Sequence, residues 1–272
     1  MCTKVAVVTG ANKGIGFGIV RGLCRRFDGV VYLTSRNEKL GKNAVDDLKR
    51  EGFHPKYHQL DITVPRSVKA FRDYLKEKYF GIDILVNNAG ITMSYSPVPM
   101  SVKAEKTIFV NYFSFLSTCN ILFPLLRHGA RVINLSSSWG HLSRIPNKKL
   151  AERFQDPNLT VSDLSELMSQ YVIAVKHGNY SDWGNSAYVV SKVGVTALTR
   201  IHQRMLNDRD INVNAVNPGC VKTDMTSHEG FMSIDEGAEA PLFLALDAPD
   251  NIKGEYVWYD KRVVDWSGDI PQ

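Results

Sequence analysis

The sequence predicts an α/β fold in which a largely parallel sheet is covered by helices on both faces. Short, continuously apolar segments alternate with amphipathic ones nearly from end to end, and no linker or repeat divides the chain. In addition, the glycine-rich "TGANKGIG" (9–16) joins the first apolar segment to the first amphipathic one. "KVAVVTG" reads as a strand. "IGFGIVRGLCRRFDG" follows as a helix, with Ile15, Ile19, Leu23 and Phe27 at helical spacing and Asp28-Gly29 as its stop. Next come strand "VVYLTSR", a helix "EKLGKNAVDDLKREG" with Leu40, Ala44 and Leu48 on its apolar face, and strand "KYHQLDIT". Pro65 suits the first turn of the helix "PRSVKAFRDYLKEKYFG". Strand "IDILVNNAG", a long helix over 101–126, strand "ARVINLSSS", a helix over 187–207 and strand "INVNAVNPG" continue the alternation. A helix over 234–246 and a strand over 256–260 close it. The pattern is that of a doubly wound, Rossmann-type sheet, as a single domain over 1–272.

One segment breaks the rhythm. About 141–183 separates strand from helix where an α/β connection usually takes roughly 2–6 residues. Thr160-x-x-Asp163 resembles a capping box, and Leu164, Leu167, Met168, Tyr171, Val172 and Val175 share one face before Gly178 ends the run. This helical insertion either decorates the surface or covers an interface or pocket.

Composition narrows the class. A chain of 272 residues, 44% hydrophobic and 22% charged, is that of a globular protein, and its net charge of +5 is spread too thinly to suggest nucleic acid. Cys2, Cys24, Cys119 and Cys220 lie far apart, and neither a disulfide framework nor a metal site is expected. With no leader-like start and no run expected to span a bilayer, the sequence predicts a cytoplasmic protein without a membrane partner.

A glycine turn between a first strand and a first helix lets a pyrophosphate approach backbone amides and the helix dipole. Here the spacing is Gly10-x-x-x-Gly14-x-Gly16. Where NAD sites usually place an acid, at the end of the second strand, this chain has Ser35-Arg36. Arg36, with Lys13 in the preceding loop, suits a 2′-phosphate. The predicted cofactor is NADP(H).

Three further motifs supply chemistry: "NNAG" (87–90), "INLSSSWG" after the fifth strand, and "YVVSK" (188–192) opening a helix. With the glycine loop, this set resembles the short-chain dehydrogenase/reductase family over essentially the whole chain. "TGANKGIGF", "TSR", the insertion, "NPGCVKTDM" and "DKRVVDW" are most similar to its NADPH-dependent, monomeric carbonyl reductases. The resemblance implies a catalytic set of Asn111, Ser137, Tyr188 and Lys192, with Asn111 holding a proton-relay water. It implies cofactor contacts from Gly10, Asn12, Lys13, Gly14, Ile15, Gly16 and Arg36, with Asp61 and Ile62 bracketing adenine. Asn88, Ala89, Gly90, Tyr188 and Lys192 line the rest of the cofactor, and Pro218, Gly219, Val221 and Thr223 embrace the nicotinamide side. The implied substrate wall is Met93, Ser138, Trp139, Cys220 and Met225; the family often has an aromatic residue where Cys220 stands.

The chemistry can be argued on its own. Reducing a carbonyl needs a hydride donor, a proton donor and stabilisation of the developing alkoxide. Tyr188 and Lys192, at i and i+4, share a helix face. A phenol of pKa about 10 needs such a cation to work near neutrality. The expected activity is reduction of ketones, aldehydes or quinones. An NADP-dependent alcohol dehydrogenase of a specific terpenoid or steroid is the alternative, and a non-catalytic NADP sensor is an alternative of another class. The protein is expected to be a monomer, because the insertion precedes one of the two long helices through which tetrameric family members pair.

Overall fold

The structure is a computed structural model that describes residues 3–270; Cys2 lies outside the described residues. Strands β1 (Val5–Val8), β2 (Val30–Ser35), β3 (Lys56–Gln59), β4 (Ile82–Asn87), β5 (Leu126–Leu135), β6 (Asn212–Val216), β7 (Tyr256–Val257) and β8 (Val263–Val264) form one sheet. Their order is β3-β2-β1-β4-β5-β6-β7-β8, parallel throughout except for β8, which runs antiparallel to β7. The order reverses between β1 and β4, so the loops after those two strands diverge and leave a crevice at their carboxyl ends.

Helices α1 (Gly14–Arg26), α2 (Glu38–Arg50) and α9 (Ile234–Leu242) cover one face around Val8, Leu33, Val86 and Val216. The other face packs around Val7, Leu85, Val132 and Val213. It is covered by α3 (Pro65–Tyr79), α4 (Met100–Ile108), α5 (Phe115–Leu122) and α8 (Ala187–Leu206). β1 is buried along its whole length, as a central parallel strand must be.

Several boundaries differ from the expectation for a physical reason. The helix expected over 101–126 contains a π-helical turn at Phe109–Ser114 between α4 and α5. The strand expected over 256–260 is a two-residue strand that turns back into β8. Phe27 is extended rather than helical, and Leu40 is half exposed because α2 buries Gly41, Ala44, Val45 and Leu48 instead. The stretch Met100–Leu125 also has the length and mean hydropathy (1.4) to cross a membrane, contrary to expectation. Its apolar composition has a local cause, since α4 and α5 pack against α3, α8 and the insertion.

The insertion contains two helices, α6 (Lys148–Gln155) and α7 (Val161–Lys176). Thr160 and Asp163 form a reciprocal capping box at the start of α7. Leu164, Leu167, Met168, Tyr171 and Val175 are buried, with Val172 partly so, and α7 rests on both α4 and α8. The expected apolar face is therefore part of the main core.

Candidate active site

The glycine loop and "NNAG" are locked to each other at the switch point. Thr9 Oγ1 accepts from the amides of Asn88 (3.0 Å) and Ala89 (3.1 Å). In return, Asn88 Nδ2 donates to the carbonyls of Thr9 and Gly10, each at 2.9 Å. Gly10 has φ +62°, and a Cβ there would lie 2.9 Å from Ala89 Cα; one on Gly16 would lie 2.4 Å from Asn88 Nδ2. No side chain of that size fits. The first turn of α1 has no side-chain cap and no acidic residue, so its amides and the positive end of the helix face the crevice unneutralised. This donor set and the close-pressed loop fit a dinucleotide pyrophosphate. Asn12 and Ile15 stand on the same turn, partly buried.

Around this centre the other expected cofactor residues gather. Asp61 Oδ1 accepts from Thr63 N (2.9 Å) and Oγ1 (2.6 Å), and Ile62 is buried beside it. Past β6, Asn217 Oδ1 holds the Gly219 amide at 3.1 Å, next to buried Pro218 and Val221. Residues 220–232 form a lobe closed by Lys222 N to Met232 O (2.8 Å) and by the Phe231 and Met232 amides on Cys220 O. Lys13 and Arg36, both expected at a 2′-phosphate, stand in the glycine loop and just past β2. Lys13 Nζ donates to Asp224 Oδ2 of the lobe at 2.5 Å, because that carboxylate overhangs the loop. Arg36 is exposed at the end of β2 and takes part in no ion pair among the described residues.

The catalytic candidates converge where β5 ends and α8 begins. Ser136 points inward, its Oγ 2.7 Å from Thr196 Oγ1, and the second serine, Ser137, stands beside the Tyr188 phenol. Tyr188 sits in the first turn of α8, whose N-cap Ser186 accepts from Val189 N at 3.3 Å. Lys192 Nζ lies 5.6 Å from the Tyr188 ring centre and donates to Leu135 O at 2.6 Å. Burial pushes the Tyr188 phenol up to about 12, with the Ser137 bond pulling the other way. Burial lowers Lys192 to about 8. The phenol is not fully enclosed, and its OH lies 3.8 Å from Met225 Sδ.

Asn111 occupies the π turn, and its side chain ties the segment after β4 to α8. Its Nδ2 donates to Ile91 O (2.9 Å) and Ser191 Oγ (3.0 Å), and its Oδ1 accepts from Ile91 N (2.8 Å). Both amide protons are spent. Ser191 Oγ in turn donates to Tyr188 O at 2.8 Å, so Asn111 steadies the tyrosine's backbone.

Of the expected substrate wall, Met93 lines a cavity of about 270 Å³ beside Tyr188, Met225 Sδ lies 3.8 Å from the Tyr188 OH, and Ser138 is partly buried next to Ser137. Trp139 instead lies under the Arg144 guanidinium, 4.6 Å from it, and Cys220 is exposed at the lobe's base. Met100, Lys103, Thr107 and Asn185 complete the cavity. Met100, Lys103 and Thr107 were not expected, because only the packing of α4 against α8 brings them to Tyr188. Thr9, Ser191, Tyr256 and Asp224 were missed as well. Thr9, Ser191 and Asp224 lie inside quoted motifs, whereas Tyr256, whose OH donates to Ser137 O at 2.6 Å, has no local signal.

The family model for short chain dehydrogenases matches residues 4–148 and 172–231 and skips most of the two inserted helices. The chain belongs to the short-chain dehydrogenase/reductase family. It is 46% identical to carbonyl reductase [NADPH] 3 of Rattus norvegicus, over 97% of this chain and 99% of that protein. It is 42% identical to carbonyl reductase [NADPH] 1 of Homo sapiens, over 96% of this chain and 98% of that protein. Among solved structures, salutaridine reductase from Papaver somniferum superposes with a TM-score of 0.85 at 30% identity, covering 94% of this chain and 99% of that one.

Asn111→Leu should strip Ile91 and Ser191 of three hydrogen bonds inside the fold. It should lower unfolding free energy by about 2–4 kcal/mol, measured by urea denaturation. A change within error would show that the clamp contributes nothing.

Proposed function

We propose that the protein is an NADPH-dependent carbonyl reductase acting on ketones, aldehydes or quinones. The observation that carries this reading is the convergence of Ser137, Tyr188 and Lys192 beside the glycine crevice, in a chain up to 46% identical to carbonyl reductases. Bound NADPH supplies the hydride. The Ser137 hydroxyl donates to the substrate's carbonyl oxygen, and Tyr188 hands that oxygen its proton. With its phenol pushed up to about 12, Tyr188 still holds that proton at neutral pH. Lys192, cationic below about 8, stabilises the phenolate left behind.

Absorbance at 340 nm, followed with isatin, menadione, an aliphatic aldehyde and a steroid ketone, tests the activity. NADPH should be preferred over NADH by about 10²-fold in kcat/KM if Arg36 and Lys13 both serve the 2′-phosphate. Tyr188→Phe should nearly abolish turnover while NADPH still binds, and Ser137→Ala should lower kcat by about 10²–10³-fold. A Tyr188→Phe protein retaining half of wild-type kcat on every carbonyl sinks the assignment.

The pH profile follows from Lys192. Its proton is present below about 8 and lost above it, so carbonyl reduction should decline as pH rises through about 8. A profile flat across that range would mean that the lysine's charge is not required.

We further propose a cytoplasmic monomer. What supports the monomer is α7, which lies across α4 and α8 on the surfaces that would otherwise pair. Light scattering at micromolar concentration should give the 30.5 kDa mass, and a stable tetramer would overturn it. A second reading, a reductase dedicated to one specific ketone, is favoured by the high TM-score of 0.85 against salutaridine reductase. The same substrate panel separates the two by breadth of activity.

A further inference from the structure

The glycine loop and the lobe after β6 touch at two points. Thr223 Cγ2 lies 3.3 Å from where a Cβ on Gly14 would stand, and the next residue, Asp224, accepts from Lys13 Nζ at 2.5 Å. The second oxygen of Asp224 faces His228 Nε2 at 3.1 Å. Lys13 is thus engaged, whereas Arg36 takes part in no ion pair among the described residues.

If the reading of the previous section holds, two anions compete for one ammonium. A 2′-phosphate drawing on Lys13 must take it from Asp224 or share it at close range with a carboxylate of like charge. Either arrangement subtracts from the attraction the lysine offers. NADH has no such phosphate and does not enter the contest. Both partners of the pair are more than half exposed, with side-chain exposures of 65% and 57%, so screening keeps the contest mild and easily reversed.

We propose that Asp224 is a positioning residue for cofactor discrimination. It holds Lys13 on the lobe, limits how tightly the phosphorylated cofactor is gripped, and retakes the lysine as NADP⁺ leaves. The inference rests on the NADPH reading above and concerns a residue outside the catalytic set.

Equilibrium titration of protein fluorescence with NADP⁺ and NAD⁺ tests it on the intact protein. Asp224→Asn should tighten NADP⁺ about three- to fivefold, the scale of one exposed ion pair, and shift NAD⁺ by less than about twofold. NADP⁺ dissociation in stopped flow should slow by the same factor. Asp224→Glu should restore wild-type values, which a merely structural role would not predict. In a Lys13→Met background, Asp224→Asn should lose most of its effect.

An Asp224→Asn protein that binds NADP⁺ no tighter, or that shifts both cofactors equally, overturns the proposal. Lys13→Met separates the two levels of the argument. If it leaves the NADP⁺ to NAD⁺ ratio unchanged, the phosphate reading of Lys13 fails and this inference falls with it. If it erodes the ratio while Asp224→Asn does not tighten NADP⁺, the phosphate reading stands and only the role of Asp224 is wrong.

Discussion

A buried ammonium without a carboxylate partner governs the architecture of the site. Lys192 is only 7% exposed, and its hydrogen bond is to a main-chain carbonyl, that of Leu135. Taking a charge out of water costs several kcal/mol unless neighbouring dipoles replace the solvent. The protein accepts that cost at one place, and α8 must keep its register on β5 for the carbonyl to stay at 2.6 Å. A buried polar relay maintains the register. Asn87 Nδ2 donates to Asn134 Oδ1, and Asn134 Nδ2 donates to Thr199 Oγ1, each at 2.9 Å. Strand β4, strand β5 and helix α8 are thereby tied by side chains that cannot slip a residue without orphaning their partners.

What the sequence made legible was whatever a local pattern encodes. The alternation of elements, the glycine loop, the capping box at Thr160 and the i, i+4 spacing of Tyr188 and Lys192 all depend on neighbours a few residues apart, and all appear in the structure. The choice of Ser137 over Ser136 rests on the family's motif, and in the structure Ser136 turns inward to Thr196.

Tertiary placement was not legible. Asn111 was recognised, but nothing near it in the chain says that its amide is consumed by Ile91 and Ser191. The π turn that aims it adds a residue to a helix whose apolar spacing looks regular. Trp139 stands under the Arg144 guanidinium and Cys220 is exposed at the lobe's base, placements that adjacency to a motif does not fix. Lys13 was read for its charge alone, whereas its orientation is decided by Asp224, which is 211 residues away.

The last residues of the chain reach back to the catalytic serine. Tyr256 holds the Ser137 carbonyl; Trp266 Nε1 donates to Gly140 O at 2.6 Å, and the Leu142 amide donates to Trp266 O at 3.0 Å. His141 adds a contact to Asp265 O at 3.0 Å. The loop that presents Ser137 is therefore stitched to a strap made 119 to 126 residues later. The serine loop thus depends on contacts with residues 256–266, whereas the glycine crevice is held by the bonds between Thr9 and Asn88.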